Sequence, residues 1–236
     1  MPWPDMLAPQ VHKPRQSQAR RLSWLVVVLL LFLPVACLAG RPEPERSSER
    51  GGADDQVLRL ASFEPAHLDP GLAEDAASVM ILTQIFEGLV GVGSDGSIHG
   101  VHAERWDIGP DGRSYTFWLR EGPRWSDGQP VTAHDYVYAW KRNVTESRYA
   151  SSFYPIRNAR PIHEGGADQD TLGVWAPDDR TLVVLLERPA VYFPHLVATW
   201  AFFPLPRAAI ERYGVRWTEP GTIVSNGPFR LDEARS

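Results

Sequence analysis

A mixed α/β (α+β) fold is what this 236-residue sequence predicts, and three observations carry it. From about residue 56 onward, alternating aromatic-rich segments interleave with segments of helical period, which argues against a sandwich of strands alone. Pro-Asp-Gly and Ser-Asp-Gly turns punctuate them at short intervals. The single cysteine, Cys37, rules out an internal disulfide, and the 200 residues after position 36 suffice for one medium core or two small ones.

The first 36 residues read as a targeting signal segment, outside any fold. Lys13, Arg15, Arg20 and Arg21 precede an uncharged apolar run from Leu25 to Leu33, shorter than the roughly 20 residues a membrane span needs. Pro34-Val35-Ala36-Cys37 resembles a bacterial lipobox, in which Cys37 is lipidated and becomes the first residue. Pro34 stands where that motif usually has Leu. Cleavage nearby without lipidation and an uncleaved anchor are the alternatives. Residues 41–55 carry no apolar side chain except Ala53, so residues 37–55 are expected to form a flexible tether.

The folded part opens with an expected strand from Val57 to Ser62, then a turn at Leu68-Asp69-Pro70. Val79, Leu82, Ile85, Phe86 and Leu89 recur at helical spacing and predict a helix over about 77–89. Hairpins are expected between Gly91 and Arg120. Pro110-Asp111-Gly112 is a turn, and Tyr115, Phe117 and Leu119 share one face of the strand after it. Ser126-Asp127-Gly128 is a second turn. Thr132 should cap a helix over about 133–142, with Asp135 returning a capping bond and Tyr136 and Trp140 on one face. A further hairpin is expected from residues 172–175 and 181–186 around Pro177-Asp178-Asp179-Arg180. Helices follow over about 191–199 and 207–213, the second closed by Gly214. A strand should begin at Phe229 to Leu231.

The charge balance excludes one function class. Residues after position 36 carry 20 Lys/Arg against 28 Asp/Glu, with no basic cluster, so nucleic-acid binding is disfavoured.

One long run carries a family likeness. It comprises Ala103-Glu104 and Trp106, Tyr115-Thr116-Phe117, Leu119-Arg120, Trp125 to Gly128, Pro130 to Ala133, Asp135-Tyr136-Val137 and Ala139-Trp140. Leu68-Asp69-Pro70, Phe86 to Leu89, Asp178-Asp179, Tyr192-Phe193, Tyr213-Gly214, Trp217-Thr218, Pro220-Gly221 and Asn226-Gly227 extend it in order. The chain resembles the family-5 extracellular solute-binding proteins, the oligopeptide- and dipeptide-binding components of ABC importers. That resemblance implies a periplasmic-binding-protein-like II lobe with an inserted small mixed domain. Residues 56–86 plus 207–236 would form a partial lobe I, residues 87–206 the small domain, and the sequence is expected to be truncated before the second lobe. It also implies an oligopeptide ligand, a permease partner in the cytoplasmic membrane, membrane attachment through Cys37, and an extracytoplasmic location. No cofactor, metal or catalytic residue is expected.

Such proteins hold a peptide main chain as an added strand. The resemblance places that pairing segment at Glu74-Asp75-Ala76 and a pocket-lining tyrosine at Tyr149. The competing reading from the residues themselves is a loop before a helix that Asp75 or Ser78 caps, with Tyr149 as scaffold. Trp106, Trp125 and Trp140 read as core. Gly91 to Gly96 spells GxGxxG, but a strand follows it, so a dinucleotide site is not expected. His99 and His102 lack further ligands at metal-binding spacing. The alternative functions are an exported carbohydrate- or peptide-active hydrolase, and a truncated, non-transporting remnant of a binding protein. The hydrolase lacks a nucleophile elbow, an HExxH and a CxxC, and most acids lie in turns.

Overall fold

A computed structural model describes residues 58, 60 and 62–232. Helix α1 (Ala76–Ile85) leads into a two-stranded antiparallel sheet, β1 (Val90–Val92) and β2 (Ile98–Gly100). Next come β3 (Ala103–Ile108), β4 (Ser114–Leu119), helix α2 (Ala133–Glu146) and short helix α3 (Ala159–His163). Strands β5 (Val174–Asp178) and β6 (Thr181–Leu185) precede helices α4 (Phe193–Val197) and α5 (Arg207–Tyr213). β3, β4, β6 and β5 form, in that order, one antiparallel sheet.

The expected turns form for the expected reasons. Gly112 takes a φ of 66°, and Asp111 accepts the Arg113 N–H at 3.0 Å. Gly128 takes a φ of 90°, and Asp127 accepts the Gln129 N–H at 3.0 Å. At the start of α2 the Thr132 N–H donates to Asp135 at 2.8 Å, and the Trp125 indole donates to the same oxygen at 3.3 Å. Burial pushes the Asp135 pKa up, opposed by these donors. The GxGxxG string is the β1–β2 turn, where the Gly93 N–H donates to the Ser97 carbonyl at 2.8 Å.

Alternation in β4 turns Tyr115, Phe117 and Leu119 inward, where α2 lays Tyr136, Ala139 and Trp140 across the sheet. Trp140 meets Phe202 edge to face at 5.2 Å, and Phe202 stacks on Phe153 at 4.2 Å. Each such ring removes about 150–250 Å² from water, a gross gain of about 4–6 kcal/mol at ~25 cal/mol/Å². Their polar ends are satisfied. The Trp140 indole donates to the Phe202 carbonyl at 2.9 Å, and the Tyr115 hydroxyl to the Ala190 carbonyl at 2.8 Å. Trp125 is buried and Trp106 half-buried against Phe117.

Several boundaries differ from expectation. α1 stops at Ile85, not Leu89, because the Asn226 side chain takes the main chain of Glu87: its amide donates to the Glu87 carbonyl at 2.9 Å and its oxygen accepts the Glu87 N–H at 3.2 Å. α2 continues past Arg142 to Glu146, with an Arg142–Glu146 pair at 2.9 Å spanning the extra turn. α4 is shorter than expected, since Pro194 belongs to its first turn and leaves Val191 and Tyr192 outside. Phe229 to Leu231 forms no strand; the Phe229 N–H donates instead to the Gln84 carbonyl at 3.2 Å. Leu58, Leu60 and Ser62 are not in a strand either; Val57, Arg59 and Ala61 lie outside the described residues.

The described residues all fall within one compact unit, and a single cluster of buried apolar side chains runs through it. The signal segment, Cys37 and the tether lie outside the described residues.

Candidate functional site

Asp69 organises the approach to the expected ligand segment. It is 4% exposed, its carbonyl accepts the N–H groups of Leu72 and Ala73 at 3.0 Å, and its carboxylate accepts the Gly71 N–H at 2.9 Å. The Arg142 guanidinium donates to both carboxylate oxygens at 3.1 and 2.8 Å, and the Trp217 indole adds a bond at 3.2 Å. Burial works against the Arg142 charge, but the bond to Asp69 and the charges of Asp69 and Glu146 hold its pKa above the ordinary value. Gly71 packs against Asn143, whose amide donates to the Ala201 carbonyl at 2.8 Å and whose oxygen has no hydrogen-bond partner among the described residues. A Cβ at Gly71 would sit 2.3 Å from that oxygen, so only glycine fits.

Residues 73–76 emerge from this anchor as a ledge beside two aromatic rings. The Trp200 indole donates to the Ala73 carbonyl at 3.3 Å, and the Tyr149 hydroxyl to the Glu74 carbonyl at 3.4 Å. The two rings meet edge to face at 5.5 Å. The Arg148 guanidinium pairs with the Glu74 carboxylate at 2.5 Å. Glu74 and Ala76 are exposed and Asp75 is half-buried. The Glu74 N–H makes no hydrogen bond among the described residues. Asp75 caps α1: its carboxylate accepts the Ser78 N–H at 2.8 Å and the Ser78 hydroxyl at 2.5 Å. Those two bonds pull the Asp75 pKa below its ordinary value.

Glu74, Asp75, Ala76 and Tyr149 are therefore brought together, and both readings of the segment are compatible with it. The Asp75 side chain starts the helix, while main-chain groups of the ledge stay open. Sequence reasoning missed Arg142, Arg148, Trp200 and Trp217. Leu68-Asp69-Pro70 was a visible motif, but its partners lie 73 and 148 residues away.

Elsewhere, an open cleft of about 470 Å³ is lined by Glu87, His99, His102, Arg120, Glu121 and Asn226, among others. One of its two histidines is committed: His102 Nδ1 is 2.8 Å from the Tyr136 hydroxyl, and Nε2 is 3.6 Å from Glu87. Among the described residues, no group of three or more His, Cys, Asp or Glu side chains converges as metal ligands do. Asp111 and Asp178 spend their carboxylates on neighbouring backbone N–H groups, which lower their pKa values.

The family described as bacterial extracellular solute-binding proteins, family 5 Middle, matches residues 97–236. Similar curated proteins include the probable deoxycholate-binding periplasmic protein YgiS of Escherichia coli, 42% identical over 187 residues, 77% of this chain and 35% of that one. The periplasmic oligopeptide-binding protein OppA of the same organism is 42% identical over 187 residues, covering 77% and 34%. Among solved structures, the unliganded open form of the murein tripeptide-binding protein MppA superposes with a TM-score of 0.70 at 40% identity, over 73% of this chain and 34% of that one. OppA of Haemophilus influenzae in complex with the peptide RPPGFSPFR gives a TM-score of 0.70 at 36% identity, over the same shares. This chain spans about a third of the length of these relatives.

Proposed function

Because the chain belongs to the bacterial extracellular solute-binding proteins of family 5, we propose that it is the substrate-binding receptor component of an ABC importer. It captures oligopeptides outside the cytoplasmic membrane and delivers them to a permease. The observation that carries this reading is the ledge at Glu74-Asp75-Ala76. Trp200 and Tyr149 hold two consecutive carbonyls, at Ala73 and Glu74, while the Glu74 N–H is left without a partner among the described residues. A peptide laid along it as a strand gains main-chain hydrogen bonds without its side chains being read. Binding is the whole activity, and no residue of the chain acts as a catalyst.

The same reading carries the sequence-based organisation forward. Lipidation of Cys37 anchors the protein to the membrane, with residues 37–55 as a tether. Residues 56–86 and 207–236 contribute to lobe I, and residues 87–206 are the small domain beside it.

Native mass spectrometry of the protein, expressed from its complete reading frame in peptide-rich medium, tests the proposal. Co-purified oligopeptides that exchange for an added tripeptide are the expected result. A persistently ligand-free mass, or a co-purified steroid acid in place of peptide, would contradict the cargo assignment.

A further inference from the structure

The charged groups around the ledge are held in different ways. Asp69 and Arg142 are buried partners, with side chains 6% and 14% exposed. Asp75 spends its carboxylate on the start of α1. Glu74 and Arg148, at 46% and 77% exposure, are both open to solvent. Arg148 and Tyr149 are consecutive, and they hold the same residue from two sides: the guanidinium takes the Glu74 carboxylate and the phenol its carbonyl.

We propose that Arg148 is a specificity-determining residue, which cancels the exposed charge of Glu74 on the ledge and so lets that position accept cargo side chains of either sign. The inference rests on the receptor reading above. An exposed ion pair is weakly held and strongly solvated, so a charged group on the cargo can exchange with either member. With both members present, a cargo lysine gains from Glu74 about what it loses to Arg148, and a cargo glutamate the reverse. Removing one member leaves the other's charge uncompensated, well within the screening length of about 8 Å at physiological salt.

Nine tripeptides test this, with Lys, Glu or Gln replacing the first, second or third residue of trialanine, titrated calorimetrically into the protein expressed from its complete reading frame. The unsubstituted protein should bind Lys and Glu peptides with affinities within about threefold at every position, the range expected for a compensated pair. At the position nearest the ledge, Arg148→Ala should favour Lys over Glu by about fivefold, and Glu74→Ala should favour Glu over Lys by about the same factor, the upper range for exposed pairs. Arg148→Lys, and the double variant lacking both charges, should restore tolerance. Both side chains are exposed, so unchanged melting temperatures show that the variants fold. Peptide binding with the same preference in all variants would overturn the inference alone. Failure of the unsubstituted protein to bind any of the nine would overturn the receptor reading, and this inference with it.

Discussion

Trp140 and Glu74 belong to one scaffold, yet opposite forces order their surroundings. Around Trp140 the contacts are rings on rings, fully buried, with Phe202, Phe153 and Tyr136 closing on the indole. Around Glu74 little is buried, and the main chain is held by two aromatic donors, an exposed ion pair and, a few residues upstream, the Asp69 anchor. Apolar burial is non-directional and gives the platform its stability. Hydrogen bonds are directional, and they leave the ledge both positioned and open. A binding surface needs that second arrangement, because main-chain groups consumed by a core cannot serve a ligand.

If this division is right, the largest effect on stability belongs to the platform. Trp140→Ala should cost about 3–5 kcal/mol in urea unfolding, since it empties the core and strips the Phe202 carbonyl of its donor. A loss below about 1 kcal/mol, the level of an ordinary surface change, would dissolve the contrast.

Asp69→Asn comes next. It removes the buried counter-ion of Arg142 and leaves only the more exposed Glu146 to pair with it, and should cost about 3 kcal/mol. The loss should appear with faster hydrogen exchange at Leu72 and Ala73. Uniformly faster exchange across the sheet, with residues 72–73 no worse than the rest, would show that the anchor serves the whole domain and not the ledge.

The smallest effect sharpens the ledge itself. Ser78 holds the Asp75 pKa below its ordinary 3.8. A depressed folded pKa means that the contribution is complete above about 4 and is lost as the pH falls through the still lower folded value. Asp75→Ala should therefore lower the melting temperature at pH 7, and the two proteins should converge toward pH 2. A gap that stays constant over that range would show that the carboxylate's charge plays no part in the cap.

The platform was largely legible because its determinants are local. Alternation in residues 114–119, the turn at Pro110-Asp111-Gly112, and Asp135 three residues after Thr132 all act within a few positions of themselves. The ledge was placed by family likeness, and its supports were not legible, because they are long-range: Arg142 reaches Asp69 across 73 residues and Trp200 reaches Ala73 across 127. The misjudged end of α1 has the same origin. Its apolar spacing continues to Leu89, but Asn226, 139 residues downstream, captures the Glu87 main chain and ends the helix. A strand was expected to begin at residues 229–231, but a segment makes a strand only where a partner edge is present.

Amide hydrogen exchange at residues 74–76, followed with and without an oligopeptide, bears most directly on the claim that this ledge receives a peptide main chain. The account predicts slower exchange of the Glu74 N–H on peptide addition, with the amides of α2 unchanged. Exchange at Glu74 that is indifferent to peptide, while the protein demonstrably binds it, would contradict the account.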